Sequence, residues 1–330
     1  MDLRSLRGAS VILSLFVAIV AYFLANRLSP TLRALLPRSA LTSTTPARVA
    51  NISSKTMSTR TPVYFMSHGG PNTMFDTEHP VYPVLQRIGQ EITQKVKPKA
   101  IVVFSAHWEA GPRDIQVNTA LMNDLIYDYY GFPPEYYKVQ YPNIGSPELA
   151  SHVIELLENA GIKAEGVKRG LDHGVYVGFS VAFHPEKNPL NIPIVQVSQY
   201  NSPDVDQHYR LGQAVQALRE ENILIIGAGM SVHNLRDMRF MYNSTKPLPY
   251  VKSFDEALKP AMEASPSERQ ARLAEVAKRP DAHQAHPHFD HLMPAYITAG
   301  AAGEDIGKQL WTYHETSMGW AMYRFGDVPA

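Results

Sequence analysis

From residue 62 onward, short apolar runs alternate with longer stretches whose apolar positions recur every three or four residues. The runs at 63–66, 100–105, 115–118, 192–198 and 223–227 are rich in β-branched residues and predict strands. A period near 3.6 predicts helices over 81–96, 147–160, 205–220, 253–264 and 267–278. The helix at 147 carries its own punctuation, with Ser146 to cap it, Pro147 in the first turn and Gly161 to stop it. Residues 310–313 and 320–325 read as two more strands, antiparallel at an edge. Such alternation predicts an α/β fold, a single layered domain over 62–330 with a central mixed, largely parallel sheet flanked by helices.

The pattern changes before residue 62. Residues 9–25 contain no charge, which places them at the short limit of a membrane-spanning helix. Residues 1–36 are therefore expected to form an N-terminal hydrophobic helix that contacts a membrane or targeting machinery. Residues 37–61, rich in Ser, Thr and Pro, are expected to be a disordered linker. More positive charge follows the apolar segment than precedes it, so the expected arrangement is a membrane anchor with a cytosolic body. A mitochondrial presequence is the second reading, and initiation at Met57 would give a cytosolic product without the leader.

Charge and composition narrow the chemistry. The net charge of +0 hides a basic leader, since residues 1–56 hold seven basic side chains against the single acid Asp2. The body is mildly acidic and gives no sign of nucleic-acid binding. With no cysteine, disulfides, thiolate metal sites and cysteine nucleophiles are excluded.

Of the 13 histidines, four sit where a strand or tight loop delivers them: His68 in SHGGP, His107 at the end of AIVVFSAHW, His173 in GLDHG and His233 in GAGMSVHN. A fifth, His291, lies near the start of a predicted helix. A lone strand-end histidine is more often a packing residue than a ligand. Three such exits in one chain favour a shared site, because ligands of open α/β sheets bind beyond the carboxyl ends of the strands. Imidazole suits Fe, Zn, Cu and Ni, and without cysteine an open catalytic site is favoured over a structural one. His79, His152, His184, His208 and His314 are read as surface or structural. There is no nucleophile elbow, Walker motif or dinucleotide fingerprint. The stretch YDYYGFPPEYYKVQY, residues 127–141, has seven aromatic residues and no regular period, so it is either a packed loop or an aromatic lid.

SHGGP, SAHW, the YDYYGFPPEYYKVQYP loop, GLDHG and SVHNLRD together resemble the DOPA-type extradiol aromatic ring-opening dioxygenases, relatives of the catalytic subunit of protocatechuate 4,5-dioxygenase. The resemblance covers nearly the whole body. It implies one divalent metal ion per chain, Fe(II) for catalysis or Zn(II) as found in family members, held by His68, His107 and His291, with His288 as the fallback for the last. His233 is implied as a fourth ligand or an acid–base group, and His173 as a catalytic residue contacting the substrate. The implied partners are a small catechol and O2. Tyr176 stands where the family often has Trp. Two other readings compete: a zinc hydrolase on the same scaffold, weakened because no Asp or Glu clearly partners the metal as a base, and a non-catalytic Memo-like binding protein.

Overall fold

A computed structural model describes residues 60–241 and 244–329. The described residues belong to one compact unit, Met57–Ala330. Its centre is an eight-stranded mixed sheet. In chain order the strands are β1 (Val63–Ser67), β2 (Ala100–Glu109), β3 (Asp114–Asn118), β4 (Lys163–Val167), β5 (Ile194–Gln199), β6 (Ile223–Gly229), β7 (Gly307–Trp311) and β8 (Met322–Phe325). Across the sheet they run β7-β8-β1-β6-β2-β5-β3-β4. The four central strands are parallel, β1 to β6, β6 to β2 and β2 to β5. Antiparallel pairs at β5–β3, β1–β8 and β8–β7 make the sheet mixed.

Alternation along the strands builds two cores. Val63, Phe65, Val102, Phe104, Val195 and Ile225 face one layer of helices, while Tyr64, Met66, Ile101, Val103 and Ile226 face the other. Central strands buried on both faces read as continuous apolar runs, which is why they were legible. The first layer contains α2 (Pro147–Asn159), α4 (Val205–Val215), α5 (Pro249–Met262), α6 (Pro266–Ala277) and α7 (Met293–Ala301). The second contains α1 (Val81–Glu91) and α3 (His173–Ala182). Ser146 caps α2 as expected, its hydroxyl accepting from the Leu149 N–H at 3.1 Å.

Some expectations need adjustment. The helices expected over 81–96 and 205–220 change their winding in the last turns, to a π turn at Ile92–Val96 and a 3-10 turn at Gln216–Glu221. The expectation of a membrane-anchored protein is corrected. Among the described residues no helix is long and apolar enough to cross a membrane. The segment on which that expectation rested, residues 9–25, lies outside the described residues, as does the predicted linker up to residue 59.

Candidate active site

The carboxyl ends of the parallel strands converge on five histidines. His68 is the first residue past β1, and its backbone N–H donates to the Gly229 carbonyl at the tip of β6 (3.2 Å). The next residue, Gly69, has φ +67, and a Cβ there would lie 2.2 Å from the Trp320 ring. Gly69→Ala is therefore expected to cost about 2–4 kcal/mol, from left-handed strain and a clash with a packed indole. Urea denaturation with wild-type stability in this variant would contradict that close fit.

His107 lies near the end of β2, where the register with β5 breaks between Phe104 and Glu109, so its backbone leaves the regular ladder. β2 continues four residues past the predicted end at Ser105 as far as Glu109. His233 lies in a two-residue strand, Val232–His233, paired antiparallel with Met318–Gly319. His291 precedes α7 and is pinned through its backbone: its carbonyl accepts from the Met230 N–H (2.9 Å), and the preceding Asp290 carbonyl accepts from the Gln199 side chain (2.9 Å). His173, expected in a tight loop, is instead the first residue of α3. Gly174 lets that helix close on the sheet, since a Cβ there would lie 2.5 Å from Ser105 Oγ and 2.9 Å from the His107 ring.

The imidazoles form one cluster. Ring centres are separated by 5.1 Å for His68 and His107, 5.3 Å for His68 and His291, 4.8 Å for His107 and His291, and 3.9 Å for His107 and His173. His233 stacks on His291 at 3.6 Å. Ligand atoms of His68, His107 and His173 lie within 4.8 Å of one another, as do those of His233, Asp290 and His291. The fallback His288 is exposed and stays outside both groups. His286, two residues before it, is buried and turns to the Ser231 carbonyl.

Hydrogen-bond partners fix which nitrogen faces the centre. His68 Nδ1 donates to the Gly69 carbonyl (2.7 Å), leaving a buried Nε2 with no hydrogen-bond partner. His107 Nδ1 lies 3.2 Å from Asp128 Oδ2, and His291 Nδ1 lies 3.0 Å from Asp290 Oδ1, although the latter is angled away from a hydrogen bond. A lone pair that close to a carboxylate oxygen is repelled, so both Nδ1 atoms carry the proton. The two Nε2 atoms then face each other across 3.1 Å, a contact that requires a proton or a cation between them. Two imidazole nitrogens bound to one ion at about 2.1 Å lie roughly 3.0–3.4 Å apart, so this spacing fits a shared cation.

Charge agrees with that use at every ring of the cluster except His107. Burial, and then the neighbouring imidazoles, hold His68, His233 and His291 well below the ordinary imidazole value, leaving them neutral as metal binding requires. His173 is lowered too, chiefly by burial. For His107 burial also pulls downward, but the bond to Asp128 and the charges of Asp172, Asp128 and Asp290 outweigh it and raise the pKa.

His286 yields a pH prediction. Burial lowers it to about 4, its Nε2–H donates to Ser231, and its Nδ1 is buried without a partner. The unfolded chain takes up this proton first, near the ordinary 6.5. The neutral ring's contribution is therefore full above that pH and lost as pH falls toward 4, on the order of 3 kcal/mol. Denaturation of metal-free protein between pH 7.5 and 4 should give a shallower acid slope for His286→Gln, and an unchanged slope would contradict the assignment.

The carboxylates were not anticipated. Asp128 in the aromatic loop contacts His107 and His173, which hold it well below the usual carboxylate range against the upward pull of burial. Asp172 is fully buried and accepts from Ser105 Oγ (2.6 Å), Arg169 Nη1 (2.9 Å) and Gln196 Nε2. The one local sign in the sequence was an acid inside an aromatic run, YDYY. The loop is packed only in part: Tyr129 and Tyr141 are buried, the Tyr129 ring centre lying 5.5 Å from that of His173, while Tyr130 is exposed.

Residues 56–326 match the family described as the catalytic LigB subunit of aromatic ring-opening dioxygenase. The chain belongs to this family of extradiol ring-cleaving dioxygenases. It is 37% identical over 254 residues to the 4,5-DOPA dioxygenase extradiol of Beta vulgaris, covering 75% of this chain and 89% of that protein. It is 33% identical to a 4,5-DOPA dioxygenase extradiol-like protein of Schizosaccharomyces pombe, covering 75% of this chain and 86% of that one. A solved structure of an uncharacterized protein from Escherichia coli K12, JW3007, superimposes with a TM-score of 0.64 at 27% identity, covering 81% of this chain and all (100%) of that one.

Proposed function

We propose that this dioxygenase opens the ring of a small catechol of the DOPA or protocatechuate type, using one divalent metal ion held by His68, His107 and His291, with His233 beside them as a fourth donor. The observation that carries the reading is the pair of Nε2 atoms of His107 and His291 facing each other at 3.1 Å, beside the unpartnered Nε2 of His68. DOPA leads the candidate substrates because several relatives carry that substrate in their names.

What iron supplies when bound is an electron path between the diol and dioxygen, which redox-inert zinc lacks. The chain's own residues do the rest. Burial of His68, His173 and His291 excludes bulk water from the centre. His173, neutral and with Nδ1 committed to Asp128 at 2.9 Å, presents Nε2 as the base for a catechol hydroxyl proton. The same nitrogen returns the proton later in turnover.

A zinc hydrolase would need a free carboxylate base. Asp128 is engaged by two histidines and Asp290 Oδ1 accepts from the His291 backbone N–H (2.8 Å), so neither is free for that task. Protein loaded in parallel with Fe(II) or Zn(II) should bind both ions and consume oxygen with DOPA only when iron is present. Equal oxygen uptake with zinc, or none with iron, would overturn the metal assignment.

A further inference from the structure

We infer that Asp128 is a positioning residue whose two carboxylate oxygens set the tautomers of His107 and His173 together, linking a metal ligand to the proton-transfer base. Its Oδ1 accepts from both the His173 backbone N–H (3.0 Å) and His173 Nδ1 (2.9 Å). Its Oδ2 lies 3.2 Å from His107 Nδ1. With both Nδ1 atoms protonated, each ring presents an Nε2 lone pair, that of His107 toward His291 and that of His173 toward its reaction partner.

The asymmetry of these contacts predicts what an amide would do in the same place. Asparagine has one acceptor oxygen and one NH2. The two donors of His173 hold the oxygen on their side, which turns the NH2 toward His107 Nδ1. An N–H donor opposite Nδ1 requires a lone pair there, so the His107 proton moves to Nε2 and the metal-facing lone pair is lost. Asp128→Asn is nearly isosteric, yet it acts selectively on the ligand and leaves His173 in its original tautomer. Asp128 also belongs to the aromatic loop, beside Tyr129, whose ring contacts His173, so the placement of that loop is tied to the state of the ligand.

The inference rests on the metal assignment proposed above, and the test separates the two. Zn(II) serves as a redox-silent probe, with affinity measured by chelator competition on the full chain. Asp128→Asn should bind zinc about 10–100-fold more weakly than wild type, the usual cost of losing a group that orients a ligand. In metal-free protein at alkaline pH, where both rings are neutral, 15N-imidazole spectra should place the proton on Nδ1 of both histidines in wild type, and on Nε2 of His107 alone in the variant. Wild-type zinc affinity in Asp128→Asn, or a wild-type His107 tautomer in that variant, would overturn the inference. If wild-type protein binds no zinc, the metal assignment fails, while the spectra of wild-type protein and Asp128→Asn compared still decide whether Asp128 sets the tautomers.

Discussion

His107→Ala is expected to lose its metal on gel filtration and to fall to background in catechol turnover. The side chain stands at the irregular tip of β2, its ring within 5.1 Å of His68 and its Nε2 3.1 Å from that of His291. It contributes little to the apolar core, since the strand that carries it is anchored by Ile101 to Phe104, which are fully buried. The variant should therefore fold, and the loss should be confined to the site. It should exceed the 10–100-fold weakening caused by removing a group that only orients a ligand. Metal analysis and thermal denaturation together check this. A folded variant that keeps a full equivalent of metal would remove His107 from the ligand set.

His173→Ala is expected to behave differently, keeping its metal and losing about 10²–10⁴-fold in turnover, the usual contribution of a positioned acid–base group. The distinction is sharp because the cluster admits two groupings. His173 lies with His68 and His107 in one set of mutually close ligand atoms, so distance alone would allow it to bind the ion. The role proposed for it in proton transfer rests on its place at the start of α3, its bond to Asp128 and its contact with the Tyr129 ring. Equal metal loss in His107→Ala and His173→Ala would show that His173 is a ligand and would end that division of roles.

The parts of the fold legible in the sequence are those governed by local pattern. Apolar β-branched runs locate the four parallel strands, and the rule that sites form beyond their carboxyl ends singles out His68, His107 and His233 from the sequence alone. What escaped depends on tertiary context. The α3 segment HGVYVGFSVA is apolar on every side because nearly all of it is buried, so it has no amphipathic period to detect. β4 (KAEGV) is an edge strand with exposed residues and a glycine, which carries no strand signal of its own. Asp128 acquires its role from a histidine 45 positions away, a contact no spacing rule encodes. Asp172 is similar, a fully buried acid made tolerable by its near neighbour Arg169 and by Ser105 and Gln196, which reach it from distant parts of the chain.

The central claim is ring opening of a catechol by dioxygen at this histidine cluster. The most direct test is to reconstitute the protein with Fe(II) under anaerobic conditions, add DOPA, admit air, and follow oxygen consumption alongside the yellow semialdehyde product. The predicted result is uptake of one equivalent of O2 per ring opened, absent in His107→Ala. No oxygen uptake and no coloured product from iron-loaded protein, across a panel of catechols that includes DOPA and protocatechuate, would contradict the account.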